Sequence, residues 1–210
     1  MKKFLSIVVC GALLVACGTS KTSSGSITGG NGQGAAVGAA IGTTVGSGSA
    51  ALIGNKMEKK AAELAKLENA QVETVTDVNG LKAIRVTFSS STLFDFNKST
   101  LKPSAMTQLD KFAEEMTDMP ETHFTICGHT DNVGTEQANK KVSAQRADSV
   151  EKYLRTKGIA KKRMTAEGLS FNFPVADNDT EAGRTQNRRV EIYISANEEM
   201  VKKAEEGTLQ

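Results

Sequence analysis

From Val72 onward the sequence predicts an α/β sandwich: a mixed sheet in the order β-α-β-α-β-β, with its helices packed on one face. Two patterns lead there. Short runs with apolar residues at every second position alternate with longer runs in which apolar residues recur every three or four positions. Aromatic residues are few and tryptophan is absent, which suits one modest core rather than several.

Each element can be justified in turn. Residues 83–88 read Ala-Ile-Arg-Val-Thr-Phe, with Ile84, Val86 and Phe88 on one side, and so predict a strand. Pro103 suits the first turn of a helix, whose first amide needs no partner. Met106, Leu109, Phe112, Ala113 and Met116 then recur at helical spacing. Residues 122–127 predict a second strand, which includes Cys127 as a small buried residue. Residues 136–157 predict a longer helix that Gly158 stops, with Lys152, Arg155 and Lys157 near its negative end. Residues 164–167 and 189–194 complete the sheet, separated by a loop rich in Gly, Asn and Asp. The globular domain is assigned to 72–197, and the charged tail 198–210 receives no structure.

The first residues are of a different kind. Met1-Lys2-Lys3 is followed by an apolar run over 4–16, broken only by Ser6 and Gly11. A spanning helix needs about 20 apolar residues, so this run is too short and reads as a secretory signal peptide over 1–16. Leu14-Val15-Ala16-Cys17 resembles the bacterial lipobox, which implies a lipid on Cys17. The alternative is an ordinary signal peptide with an incidental cysteine. Two or more acyl chains give stable anchoring where one does not. Gly18 follows with no acidic residue close by, as in lipoproteins sent to the outer membrane, which leaves the domain in the periplasm. Cleavage removes Lys2 and Lys3 from 26 basic side chains and leaves them equal to the 24 acidic ones. That balance gives no argument for nucleic acid. With Cys17 acylated, Cys127 would have no intramolecular disulfide to form.

Between anchor and domain, residues 18–33 are mostly Gly, Ser, Thr and Asn with almost nothing apolar, so 17–33 reads as the lipidated Cys17 and a flexible tether. In 34–55, Gly34, Gly38, Gly42 and Gly46 fall four apart among Ala, Val and Ile. On a helix this stripe allows close backbone approach, and it resembles the glycine-zipper segments of outer-membrane lipoproteins, implying self-association or membrane contact. The other reading is a mobile linker, since each interior glycine costs a helix about 1 kcal/mol against Ala. Residues 56–71 read as a short helical spacer.

One site stands out. The strand ending at Cys127 runs into Gly128-His129-Thr130-Asp131-Asn132-Val133-Gly134, a polar turn at a carboxyl end, where open α/β sheets often bind ligands. In the following helix Val142, Arg146, Val150 and Tyr153 lie within an arc of about 80°, with Asn139 on the same side. Arg146 therefore sits amid the apolar face. A buried guanidinium is costly unless something answers its charge. A bound carboxylate would do so; so would snorkelling to the edge, or an internal pair with Asp131 or Asp95.

Enzyme readings fare badly. His123 and His129 are the only histidines, Ser143 lies inside a helix without a nucleophile elbow, and no CxxC or HxxxH spacing offers a metal site. No cofactor is implied.

Phe94-Asp95-Phe96-Asn97-Lys98, Gly128-His129-Thr130-Asp131-Asn132-Val133-Gly134 and Val142-Ser143-Ala144-Gln145-Arg146-Ala147 resemble successive motifs of the OmpA-like C-terminal domain. So do Gly168, Pro174-Val175-Ala176-Asp177-Asn178 and the stretch from Gly183 to Ile192, and the resemblance covers residues 83–197. It implies non-covalent binding of peptidoglycan through the diaminopimelate of its stem peptide. On this chain Asp131 would accept the ligand's ammonium and Arg146 its carboxylate. Asn139, Asp95, Phe94 and Thr130 would complete the site. Ser170 stands where the family more often has glycine, and Val142 replaces a common leucine. Arg184, Asn187 and Arg188 match family positions and are expected to brace the last strand and loop. The expected role is a lipoprotein that tethers outer membrane to cell wall. The alternative is an envelope assembly component that oligomerises through 34–46 and docks a partner protein.

Overall fold

The computed structural model describes residues 45–209. The signal peptide, Cys17, the tether, Gly34, Gly38 and Gly42 lie outside them. Five strands form one sheet: β1 (Ala70–Thr76), β2 (Lys82–Ser89), β3 (Thr122–Gly128), β4 (Met164–Gly168) and β5 (Arg189–Ala196), in the order β1-β2-β5-β3-β4. The β3–β4 pair is parallel and the other three are antiparallel, so the sheet is mixed. The helices are α1 (Ser47–Leu64), the single turn α2 (Ser90–Leu93), α3 (Pro103–Glu115), α4 (Glu136–Thr156), α5 (Glu181–Asn187) and α6 (Glu198–Glu205).

Alternation decides which side of the sheet is covered. Ile84, Val86 and Phe88 of β2, Phe124 and Ile126 of β3, and Val190, Ile192 and Ile194 of β5 share one buried cluster. Leu109 and Phe112 of α3 and Ala147, Val150 and Leu154 of α4 pack into it. The helix-bearing face is therefore the core, as the periodicity predicts. The opposite face is polar: the Glu191 carboxylate accepts from Arg189 Nε and from the Tyr193 hydroxyl, both at 2.7 Å, and Arg85 pairs with Glu73. Cys127 is buried on that face beside Tyr193.

Three expectations need correcting. The strand β1, which the sequence analysis split between spacer and domain, pairs along its whole length with β2. Residues 47–64 form one helix across the expected boundary at 55, and it is no spacer. Its Ile53, Met57, Ala61 and Leu64 enter the core, and buried Lys60 bonds Asp118 and the Glu115 carbonyl. Gly46 is the N-cap of this helix, with an extended backbone, so it is not part of a helical glycine stripe. The tail is also folded. Asn197 caps α6, whose Met200, Val201 and Ala204 are buried against the same cluster.

Glycine matters most where α4 crosses the sheet. A Cβ on Gly128 would lie 2.1 Å from the Ser143 carbonyl oxygen, and one on Gly168 would lie 2.4 Å from the Ala144 amide nitrogen. Only bare backbone at the ends of β3 and β4 lets the helix sit this close. That approach sets the height of Arg146, one turn further along.

Candidate functional site

The site begins where β3 stops. The His129 amide donates to the Arg189 carbonyl at 2.9 Å, and the Thr130 amide donates to the Ser170 carbonyl at 3.0 Å. The chain is thus stitched to β5 on one side and to the loop after β4 on the other. Asp131 Oδ1 accepts the Val133 amide at 3.0 Å, and Asn139 Nδ2 donates to the Val133 carbonyl at 2.9 Å. Gly134 turns with φ +96°, a region glycine adopts without strain, and Thr135 caps α4. These local bonds hold the Asp131 carboxylate at the helix entrance.

Arg146 reaches the same region from α4. Its Nε donates to the Lys98 carbonyl at 3.1 Å, its Nη1 to Ser90 Oγ at 3.4 Å, and its guanidinium lies 5.3 Å from the Phe94 ring centroid. Asn97, in the left-handed region at φ 55°, closes the turn that presents the Lys98 carbonyl. Arg146 is 7% exposed, so it does not snorkel. Neither Asp131 nor Asp95 pairs with it; among the described residues its partners are a carbonyl, a hydroxyl and a ring. Burial pulls its pKa below the usual arginine range and Arg188 pulls the same way, while Asp131 opposes them. An arginine stays protonated in proteins, so this is a buried cation with only neutral groups in contact.

Four further features complete the picture. The Thr130 hydroxyl is buried and has no hydrogen-bond partner among the described residues. Asp131, 8% exposed, pairs through Oδ2 with Arg188 Nη1 at 2.7 Å. Arg188 Nη2 in turn bonds Glu181 Oε1 at 2.7 Å and Thr185 Oγ1 at 2.6 Å. Ser170, where the resemblance expects glycine, has φ 55° and is held in that strained region by its amide donating to Ser143 Oγ. Ser143 is occupied in this way and by its own bond to the Lys140 carbonyl.

Asp131, Arg146, Asn139, Thr130 and Phe94 therefore gather at one end of the sheet. Asp95 does not join them: its side chain is 55% exposed and pairs with Lys98 and Lys102. Asn187 braces the loop as expected, accepting from the Val175 and Ala176 amides and donating to the Ala176 carbonyl. Arg184 bonds Glu181 and the Asn178 carbonyl. Arg188 braces α5 through Glu181 and Thr185 as expected, and it also reaches the site carboxylate, which was not expected. Ser90 was missed, since a serine that opens a one-turn helix carries no periodic signal.

The chain matches the OmpA family over residues 93–188. It is 40% identical over 108 residues to the outer-membrane lipoprotein YfiB of Pseudomonas aeruginosa, covering 51% of this chain and 64% of that one. It is 36% identical over 113 residues to the peptidoglycan-binding protein ArfA of Mycobacterium bovis, covering 54% and 35%. Among solved structures it resembles the cell wall anchor of the T6SS from Pseudomonas aeruginosa, with 30% identity, a TM-score of 0.56, and 67% and 97% of the two chains covered. The chain spans only 31–64% of the length of these and other curated relatives. The sheet order, the position of Arg146 above its end and these similarities agree: the chain belongs to the OmpA family through the domain that spans residues 93–188.

Proposed function

We propose that this chain is an outer-membrane lipoprotein, acylated on Cys17, that binds peptidoglycan non-covalently through the diaminopimelate of the stem peptide. One observation carries the reading: the buried Arg146 guanidinium has no carboxylate in contact among the described residues, yet shares its site with the Asp131 carboxylate. The free end of diaminopimelate carries one ammonium and one carboxylate, the complement of that pair. A carboxylate gripped by Arg146 answers the cation that the protein itself leaves unanswered. Thr130 and Asn139 are placed to supply further hydrogen bonds, and Phe94 holds the guanidinium plane by cation–π contact.

The similarities support the reading. ArfA is named for peptidoglycan binding, the T6SS protein is a cell wall anchor, and YfiB is an outer-membrane lipoprotein. The role proposed is binding without catalysis: the Ser143 hydroxyl is spent on loop bonds and His129 is buried under the sheet. Each charged hydrogen bond adds roughly 1.5–3 kcal/mol net, so one site binds modestly. Many anchored copies facing one polymer gain by avidity.

Sedimentation of the full chain with purified sacculi tests the assignment. Asp131→Ala and Arg146→Ala should each lower retention at least tenfold, while Lys102→Ala, outside the site, should not. Full retention by both site variants would move the function elsewhere. Oligomers that form while sacculi are ignored would favour the assembly role instead.

A further inference from the structure

The contacts of Arg188 bear on which ligands the site accepts. Asp131 already has a cation of its own: Oδ2 is bonded to Arg188 Nη1 at 2.7 Å, and Oδ1 accepts the Val133 amide. An incoming ammonium therefore meets a carboxylate whose charge Arg188 already balances. Arg188 is differently placed. Its side chain is 29% exposed, so it can move, and its second nitrogen already rests on Glu181 Oε1 and Thr185 Oγ1. It can leave Asp131 and keep a counter-ion.

Resting on the reading above, we propose that Arg188 is a specificity-determining residue: it fills Asp131 until a ligand ammonium replaces it, and Glu181 holds it when it withdraws. The site holds two guanidiniums, Arg146 and Arg188, and one carboxylate, Asp131. A plain carboxylate satisfies Arg146 and competes with nothing. A zwitterionic amino-acid end must also compete with Arg188 for Asp131, and where it wins, Asp131 trades one cation for another. The ammonium's binding is therefore discounted by the Asp131–Arg188 bond, and the discount depends on how firmly Glu181 competes for Arg188. The backbone beside it is closely packed: a Cβ on Gly183 of α5 would lie 1.9 Å from the Asp177 carbonyl oxygen.

Two substitutions should act in opposite directions, which a purely bracing role would not produce. Arg188→Gln removes the cation from Asp131, and Glu181→Gln leaves Arg188 with Asp131 as its only carboxylate among the described residues. Calorimetric titration of the full chain in detergent would use diaminopimelate and pimelate, the same dicarboxylate without amino groups. In Arg188→Gln, diaminopimelate should bind about tenfold tighter and pimelate no tighter than to the unmodified protein. In Glu181→Gln, diaminopimelate should bind several-fold weaker with pimelate unchanged. Thermal melting of each variant checks that it folds, and the Glu181 variant alone suffices if Arg188→Gln does not. Diaminopimelate affinity that stays level or falls in Arg188→Gln, or stays level in Glu181→Gln, overturns the proposal and leaves the peptidoglycan reading standing. Failure of both compounds to bind any of the three proteins overturns that reading and the proposal with it.

Discussion

Arg146 shows how much a single residue can announce. Its position on an apolar helix face was legible from 100° steps along the sequence, and so was the need for something to answer its charge. What surrounds it was not legible, because the Lys98 carbonyl and the Phe94 ring arrive from a loop 48 and 52 residues earlier. The contact of Arg188 with Asp131 was hidden for the same reason: a cation just before a strand can brace a loop and face a site at once, and spacing does not show the second role. A buried cation contacted only by neutral groups is an expense to the fold. Arg146→Met should therefore abolish sacculus binding and at the same time raise the thermal stability of the empty protein, by about 1–2 kcal/mol in chemical denaturation. Lower stability in that variant would show Arg146 to be a structural strut. His129 makes a second residue-scale prediction. Burial holds its pKa below the usual histidine value; Glu191 pulls it back up, while Arg189 and Arg85 add to the lowering. The fold thus favours neutral His129, and the unfolded chain, titrating near pH 6.5, binds the proton first. Stability should fall as pH drops through that value, by up to about 1.4 kcal/mol between pH 7.5 and 5.5 from this residue. His129→Gln should flatten that part of a denaturation-against-pH curve.

Among the elements, α4 is the one on which the site depends. Its periodicity, its Gly158 stop and its span were legible in the sequence. Its depth was not, because that is set by Gly128 and Gly168, two residues on other strands. Gly128→Ala would force a Cβ to 2.1 Å from the Ser143 carbonyl oxygen, a backbone atom that cannot swing aside. It should cost roughly 3 kcal/mol or more of stability and weaken sacculus binding by lifting Arg146, both read on one purified variant. A variant with unchanged melting would mean that the helix does not sit this close. The elements that sequence reading missed, or in the case of α1 took for a spacer and began too late, share a physical cause. β1 is an edge strand with weak alternation, α6 shows only Met200, Val201 and Ala204 amid charges, and α1 begins at the end of a glycine series that drew attention to close packing instead. Their apolar faces are narrow, and only tertiary packing reveals them.

Taken whole, the molecule divides its work between one face of its sheet and one end of it. The helix-bearing face supplies the core, and the end of β3 and β4 presents the site. Nearly all of this was readable from 83 to 197, where alternation and helical spacing agree with the motifs. The extension back to Ser47 was not readable, and it joins α1 to the same core. The proposed anchor and the proposed site act together only if the wall offers a ligand that completes Arg146. A stem peptide with diaminopimelate and its counterpart with lysine differ by one carboxylate, so comparing them by calorimetric titration into the unmodified full chain tests that point most directly. Diaminopimelate peptide should bind at least tenfold tighter, because the lysine peptide leaves the guanidinium unanswered. Equal affinity for the two peptides would contradict the account.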